Sequence, residues 1–183
     1  MGFWGAQGGA IVDPKRQFRW LVTFGNSDLK SWYAKSVKKP SFTIGETPHQ
    51  FINHTFYYPG RVEWQTIDMT LVDPAGDNDT SLALTKMLRN MGYYAPINDN
   101  SASSTITKAK AVKALGGEMK IKQLGANDGE TLEVWTLINP WILSVEYGQL
   151  DYSANEMVEI SLTLRYDYAT LNANGQTFPH PLA

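Results

Sequence analysis

The feature that most constrains the fold of this chain is a strict alternation of apolar and polar residues near its carboxyl end. Over residues 158–168, every second side chain is apolar or aromatic, and the side chains between them are polar or charged. Successive side chains of a β-strand point to opposite faces, so this run predicts a strand with one face in a core and the other in solvent. The apolar positions are Val158, Ile160, Leu162, Leu164, Tyr166 and Tyr168, and the polar positions are Glu159, Ser161, Thr163, Arg165 and Asp167.

Shorter runs of the same kind recur along the chain, separated by turn-forming pairs such as Pro59-Gly60 and Asn139-Pro140. Between residues 62 and 71 the alternation changes parity, which predicts a bulge or bend near Gln65. About seven to nine short strands leave no room for repeated βαβ units and predict a mainly β fold, an antiparallel sandwich or barrel. The shorter runs lie at 18–24, 32–37, 42–44, 51–58, 62–72, 132–137 and 143–147.

One flanking helix is expected, at about residues 79–92. Apolar residues recur there with helical spacing, and Asp79, Thr80 or Ser81 can cap the amino end. Gly92 suits the left-handed position just after the last turn. The helix is expected to pack on a sheet through its apolar positions, which are Leu84, Met87, Leu88 and Met91.

Three segments carry weaker patterns within what is expected to be one domain over residues 1–183. Residues 1–12 are rich in glycine and are expected to form a flexible arm, because they lack the basic start and the long apolar run of a signal peptide. Residues 98–117 are expected to form a long loop or arm, with a short helix as the alternative, and residues 171–183 a tail. No apolar run approaches the ~20 residues that a membrane-spanning helix needs.

The composition gives little basis for catalysis or cofactor binding. There is no cysteine, and 16 basic residues against 18 acidic ones provide no positive field for stable nucleic-acid binding. His49, His54 and His180 lack the spacing of paired metal ligands, and no phosphate-binding or nucleophile motif is present. The chain is therefore expected not to be an enzyme, and to have no catalytic residues, no cofactor and no metal site.

The order of these elements resembles that of a known family. An opening strand is followed by a segment that begins Pro-Gly-Arg and carries Trp and Thr, then by the helix and by two terminal strands. This order, and above all the final alternating run, is similar to that of the tail tube proteins of T4-like contractile bacteriophages. The resemblance covers most of residues 13–170, and the segments that carry it are 13–22, 59–73 and 139–168.

The resemblance implies a structural virion protein. Members fold as a β-sandwich or barrel with a flanking helix, associate into hexameric rings, and stack these rings into the inner tube of a contractile tail. Strands of neighbouring subunits join into one continuous inner β-barrel, which removes exposed sheet edges. The implied partners are other copies of the chain, the tail sheath protein, and the baseplate and tail-terminator proteins, with DNA only as passing cargo and no membrane. The implied location is the phage tail of the virion, and the host cytoplasm during assembly.

In such a barrel, the polar side of the alternating strand can face the bore. The resemblance therefore makes Glu159, Ser161, Thr163, Arg165 and Asp167 candidates for a lumen-facing surface, with an ordinary solvent face as the alternative. The weakly acidic composition suits a conduit that does not hold phosphate.

Other functions stay open at this point. A carbohydrate-binding β-sandwich would explain six Trp and nine Tyr residues, because aromatic rings stack on sugars, although they also dominate cores and interfaces. A glycosidase on a β-scaffold is the weaker alternative. Within the tube fold, the alternatives are a baseplate tube-initiating protein and the tube of type VI secretion.

Overall fold

The computed structural model describes residues 14–25, 29–30, 33–76, 79–95, 105–127 and 129–179. The leader 1–12, the part of the 98–117 segment up to residue 104, and the chain from residue 180 lie outside these ranges. Within them the elements, in chain order, are β1 (Trp20–Phe24), β2 (Ala34–Val37), β3 (Phe42–Phe51), β4 (His54–Trp64), β5 (Ile67–Val72), α1 (Thr80–Asn90), α2 (Lys108–Ala114), β6 (Glu118–Leu124), β7 (Thr131–Ile138), β8 (Trp141–Glu146), β9 (Glu159–Arg165), β10 (Tyr168–Ala173) and β11 (Gln176–Phe178).

These strands form three sheets in which every pair is antiparallel. One sheet has five strands in the order β1-β6-β7-β10-β11, and a second has four in the order β2-β5-β9-β8. Strands β3 and β4 pair only with each other and form a separate hairpin. The mainly β, antiparallel fold predicted from the sequence is confirmed.

The core lies between the five-stranded and the four-stranded sheet, as in a β-sandwich. Strand β9 contributes Ile160, Leu162 and Leu164, each at most 1% exposed. These are the three apolar positions of the alternating run that lie in β9, so the predicted division into a core face and an outer face is correct for this strand, whereas Tyr168 at the end of the run is 44% exposed. The other buried members include Val22, Phe24, Ile67, Met69, Leu71, Met119, Ile121, Leu137 and Ala169 from strands, and Leu84, Met87, Ala111 and Ala114 from helices.

Two of the four crossovers between the five-stranded and the four-stranded sheet lie beside Asp167, and the one from β9 to β10 corrects the predicted length of the alternating strand. Strand β9 ends at Arg165, whereas Tyr168 already belongs to β10 in the five-stranded sheet. The alternation in the sequence continues through the corner, where Tyr166 is buried and the chain bends at Asp167. The other crossover links β7 to β8 at Asn139-Pro140, where Asn139 adopts a positive φ of 53°.

Residues 42–64 form one long hairpin rather than the separate short strands predicted. Strands β3 and β4 have 10 and 11 residues, and the turn lies at Ile52-Asn53. The predicted turn at Pro59-Gly60 is wrong, because this pair lies inside β4 at a shift of register, and bulges tolerate proline and glycine. The predicted break near Gln65 is confirmed by the gap between β4 and β5.

Helix α1 confirms the helix predicted at 79–92. The side chain of Asp79 caps it by accepting a hydrogen bond from the backbone N–H of Leu82 at 2.8 Å. Gly92 follows the helix with a φ of 107°, which L-residues rarely adopt. The sequence therefore predicted both ends of this helix to within two residues.

The prediction of a single flanking helix is wrong in number, because α2 lies within the 98–117 segment. Thr107 caps α2, and Ala111, Ala114 and Leu115 bury one side of it in the core. The helix has seven residues and its inward positions are mostly alanine. Such a short and weakly apolar pattern does not distinguish a helix from a loop.

The tail predicted at 171–183 is also wrong over its first part. Strand β10 extends to Ala173, and a two-residue turn leads into β11, which pairs back on it. Asn174 and Gly175 both have positive φ, 53° and 74°, as a type I′ turn requires. Residues 171–178 therefore belong to the five-stranded sheet.

Truncation of Leu162 to alanine tests the assignment of the core face. Leu162→Ala should lower the free energy of unfolding by about 2–5 kcal/mol, because it leaves a cavity at a fully buried position. Ser161→Ala, one residue away on the exposed face, should change it by less than about 0.5 kcal/mol. Urea denaturation followed by circular dichroism measures both, and equal losses would contradict the assignment.

Candidate self-assembly surfaces

The outer face of the four-stranded sheet carries polar residues on all four strands, with Val72 and Trp141 at its two ends. The register places Thr70 beside Ser161 and Asp68 beside Thr163, and the Thr163 hydroxyl donates a hydrogen bond to Asp68 Oδ1 at 3.1 Å. The predicted residues of β9 therefore share one face with polar residues of its neighbours. The members of this polar face are Ser36, Asp68, Thr70, Ser144, Glu146, Glu159, Ser161, Thr163 and Arg165.

Charges on the polar face are mixed, and its cations have partners within the chain. The ammonium group of Lys35 forms an ion pair with Glu159, and this hydrogen bond raises the pKa of Lys35. Arg165 donates a hydrogen bond from Nη1 to the backbone carbonyl of Trp64 at 3.2 Å. Asp68 and Glu146 add two further carboxylates to this face. The polar face therefore offers hydroxyls and carboxylates rather than a cluster of cations.

Asp167 lies apart from the other four predicted residues, beyond the end of β9 at the crossovers between the sheets. Lys108 Nζ donates to Asp167 Oδ1 at 2.6 Å, and Asn139 Nδ2 donates to Oδ2 at 2.8 Å. These hydrogen bonds hold the pKa of Asp167 below its usual range. The carboxylate thereby ties both crossovers to α2, and its place on one strand face with Glu159 was wrongly predicted, because parity does not reveal that the chain leaves the sheet.

The four-stranded sheet ends in two open edges, β2 and β8. Four antiparallel strands alternate in direction, so these two edges run in opposite directions. The β2 edge of one copy can therefore pair with the β8 edge of another and continue the antiparallel order. Each edge carries an irregularity of register, at Lys35 in β2 and at Leu143 in β8, which limits pairing with arbitrary strands.

The β3–β4 hairpin exposes large apolar side chains that no other part of the described chain covers. Every residue of β3 and most of β4 are exposed. Only its root packs on the sandwich, where the rings of Trp64 and Tyr166 lie 6.0 Å apart. The exposed large apolar residues are Phe42, Ile44, Phe51, Ile52, Phe56, Tyr57, Tyr58 and Val62.

A buried carboxylate fixes the segment that leads into this hairpin. The side chain of Glu133 in β7 is 7% exposed and accepts hydrogen bonds from Lys15 and Lys39. Lys39 lies shortly before Phe42, where β3 begins. Burial alone would raise the pKa of Glu133, but the hydrogen bonds and charges of the two lysines outweigh it and hold the pKa below its usual range.

The described residues do not assemble a metal centre. Within ranges 14–25, 29–30, 33–76, 79–95, 105–127 and 129–179, no group of three His, Cys, Asp or Glu side chains could hold a metal ion. His49 and His54 lie on the hairpin, where their rings contact Tyr58 and Phe56. His180 lies outside the described residues. No helix of the described part is long and apolar enough to cross a membrane.

No model of a known protein family matches this chain, and no curated protein matches its sequence. Solved structures do match. A chain from the tube-terminating cap of the anti-feeding prophage shares 17% identity, with 94% of this chain and 99% of that chain covered and a TM-score of 0.66. A chain from the extended sheath/tube terminator of an extracellular contractile injection system shares 16% identity, covering 90% and 100%, at a TM-score of 0.64. A chain from the sheath-tube complex of such a system shares 18% identity, with 87% of this chain and 92% of that chain covered and a TM-score of 0.60.

The chain has a tail-tube-like fold. The resemblance drawn from the order of sequence elements is therefore confirmed at the level of the fold. The surface that the sequence did not reveal is the hairpin. The aromatic run at 51–58 was visible, but no Asn-Gly or Asp-Gly pair marks the turn at Ile52-Asn53. Pro59-Gly60 resembles a turn pair although it lies inside β4.

Replacement of Glu133 tests its role beneath the hairpin of this tail-tube-like fold. Glu133→Gln should lower the free energy of unfolding by about 1–2 kcal/mol at neutral pH, because two half-exposed lysines lose a charged acceptor. A depressed pKa contributes stability that is complete above the unfolded value of about 4.3 and is lost as the pH falls through the folded pKa. The difference between the two proteins should therefore vanish in acid.

Urea denaturation at a series of pH values from neutral to acid measures this difference. Glu130→Gln provides a control, because Glu130 is an exposed carboxylate whose side-chain hydrogen bonds to described residues come from its neighbour Asn127. A loss for Glu133→Gln that stays constant with pH would show that the charge of Glu133 does not matter.

Proposed function

We propose that this chain is a structural subunit that assembles into hexameric rings, and that the rings stack into the inner tube of a contractile tail. The observation that carries the proposal is the four-stranded sheet, with one face in the core, one polar face and two open edges. The tail-tube-like fold supports it.

Neighbouring copies within a ring would join through the two edge strands of the four-stranded sheet. Repeated pairing of β2 with β8 relates each copy to the next by the same rotation, and the contact closes into a ring when that rotation is a whole fraction of a turn. The four-stranded sheets then form one barrel without free edges. Barrels of about 16–18 strands already leave an aqueous channel, so several four-stranded sheets suffice for an open bore. The number of six copies comes from the resemblance to the phage tube family.

The polar face lines the bore in this arrangement, because the core face is covered by the five-stranded sheet. Glu159, Ser161, Thr163 and Arg165 then face the lumen, while Asp167 holds the crossovers. A wall of hydroxyls and carboxylates, with its cations already paired, does not bind a phosphate backbone strongly. DNA is therefore proposed as passing cargo rather than as a ligand.

The five-stranded sheet forms the outside of the tube, where a contractile sheath would surround it. Baseplate and terminator proteins would bind the two ends of the stack. The proposed location is the tail of a phage-like particle. The similar chains come from a tube-terminating cap, a sheath/tube terminator and a sheath-tube complex, which supports this placement.

A proline in the β8 edge tests lateral assembly. Leu143 has no partner in the register with β9, and bulges tolerate proline, so Leu143→Pro should disturb that ladder little while it removes a backbone donor from the edge strand. The purified wild-type protein should form rings or tubes in electron micrographs at high concentration. Leu143→Pro should stay folded by circular dichroism yet sediment as a monomer.

Leu143→Ala is the matched control, since it loses the same side chain but keeps the N–H, and it should assemble like the wild type. If Leu143→Pro still assembled like the wild type, β8 would not form the lateral contact. A wild-type protein that stays monomeric at every concentration and binds glycans would overturn the tube proposal in favour of the carbohydrate-binding alternative.

A lysine on the polar face tests the bore. Ser161→Lys should leave ring formation intact, because Ser161 is exposed within one subunit, but its assembled tubes should retain labelled DNA that wild-type tubes release. The retention should weaken steeply with salt, as phosphate contacts do. Lys122→Ser, on the other sheet, should leave DNA release unchanged, and equal behaviour of all three proteins would place Ser161 outside the bore.

A further inference from the structure

The two open edges of the four-stranded sheet carry charges of opposite sign. Residues 33–41, which contain β2, include three lysines and no carboxylate. Residues 141–158, which contain β8 and the loop that follows it, include three carboxylates and no Lys, Arg or His. The lysines are Lys35, Lys38 and Lys39, and the carboxylates are Glu146, Asp151 and Glu156.

Part of the positive charge beside β2 is already neutralised within one copy. Lys35 forms an ion pair with Glu159. Lys39 forms one with the buried Glu133. Lys38 is exposed, and it takes part in no ion pair among the residues that the structure describes. It is therefore the cation of this edge that remains for a second copy to neutralise.

The negative charge beside β8 has even less compensation. Glu146 and Glu156 are exposed, and neither forms an ion pair within the described part of the chain. Asp151 accepts hydrogen bonds from the backbone N–H and the hydroxyl of Ser153 at 2.8 and 2.7 Å, and these bonds hold the pKa of Asp151 below its usual range. The β8 side therefore keeps two carboxylates without a cation and a third that shapes its own loop.

These charges distinguish the possible pairings of the open edges. Antiparallel pairing of β2 with the β2 of a second copy is geometrically allowed, but such a contact is closed and stops at a dimer. It brings the lysines of both copies together and supplies no carboxylate, whereas β8 with β8 collects carboxylates alone. Like charges directly opposite each other destabilise a strand pair. Only the pairing of β2 with β8 brings opposite charges together.

We infer that the charges of the two edges select the partner strand, so that β2 of one copy pairs with β8 of the next and the two closed dimers are disfavoured. This inference rests on the proposed function and adds the rule by which its lateral contact is chosen. Charges at the rim of an interface contribute more to partner choice and to the rate of association than to affinity. The backbone ladder then holds the ring once the correct edges meet.

The selection acts over a short distance. Helices α1 and α2 flank β8 and contain cations but no carboxylate, so the side of the subunit as a whole is not acidic. Two of these cations are engaged, because Lys108 bonds Asp167 and Arg89 lies 5.7 Å from the ring centroid of Tyr94. The contrast in charge therefore belongs to the edge strands and the β8–β9 loop, within the roughly 8–10 Å that salt leaves unscreened.

Reversal of the charges in two separate variants tests the selection. Lys35→Glu with Lys38→Glu makes the β2 edge acidic, and Glu146→Lys with Glu156→Lys makes the β8 side basic. Each variant alone should need at least about a tenfold higher concentration than the wild type to form rings, because its two edges now repel each other. An equimolar mixture should assemble like the wild type, because each variant then meets an edge of opposite charge on the other.

Sedimentation velocity and electron microscopy measure the assembly, and recovery in the mixture shows that both variants are folded. Lys120→Glu with Lys122→Glu is the control, since it makes the same change in net charge as the β2 variant but on the five-stranded sheet, and it should assemble like the wild type.

The outcomes separate the inference from the proposed function. Rings formed by either reversed variant alone at the wild-type concentration would overturn the inference and leave the tube proposal in place. A mixture that assembles no better than its two components, beside a wild type that forms rings, would also overturn it. A wild-type protein that forms no rings at any concentration would remove the proposed function and the inference together.

Salt provides a second measurement, with effects of opposite sign. Wild-type rings should form several-fold more slowly as the salt concentration rises from about 0.05 to about 0.5 M, because screening weakens the attraction between the edges. Each reversed variant alone should assemble more readily under the same change, because screening weakens its repulsion. Light scattering after rapid mixing follows both rates. The same response in all three proteins would contradict selection by charge.

Discussion

The structure depends on the burial of one face of β9. Ile160, Leu162 and Leu164 are covered by the five-stranded sheet, and each contributes roughly 1.5–3 kcal/mol from burial. Because the side-chain period of a strand is two, their burial forces Glu159, Ser161, Thr163 and Arg165 to the opposite face. A slip of one residue would place Glu159 in the core and leucines in water, so the register is strongly specified. The polar face is thus a consequence of core packing.

Among the described residues, the sandwich covers its own core but leaves the hairpin and the edge strands of both sheets without partners. Open edges and apolar ribbons normally lead to uncontrolled association. In this chain the irregularities at Lys35 and Leu143 and the prolines at 48 and 59 interrupt the edges of the four-stranded sheet and of the hairpin. Indiscriminate strand addition is therefore disfavoured, whereas a partner with matching geometry is accepted. Association is directed to a specific copy and register.

The sequence predicted the features that depend on local alternation and helix capping. It did not predict the features that depend on contacts between distant segments. The core residues of β9 and the ends of α1 follow from periodicity and from Asp79 and Gly92. The switch from β9 to β10 was not predictable, since alternation continues through the corner at Tyr166. The hairpin was missed because Ile52-Asn53 is a poor turn sequence. Among the candidate bore residues, Asp167 was placed on the wrong face because the switch from β9 to β10 was not predictable.

Contacts at the root explain how a hairpin with so little packing keeps a fixed direction. A two-stranded ribbon is at best marginally stable alone in water. Here Lys39, just before β3, is held by the buried Glu133, and Arg165 bonds the carbonyl of Trp64 where β4 ends. Gln65 adds a backbone hydrogen bond to Ser41 at 2.8 Å, across the root. Both strands are therefore anchored to the sandwich before any partner arrives, and less conformational entropy is lost on association.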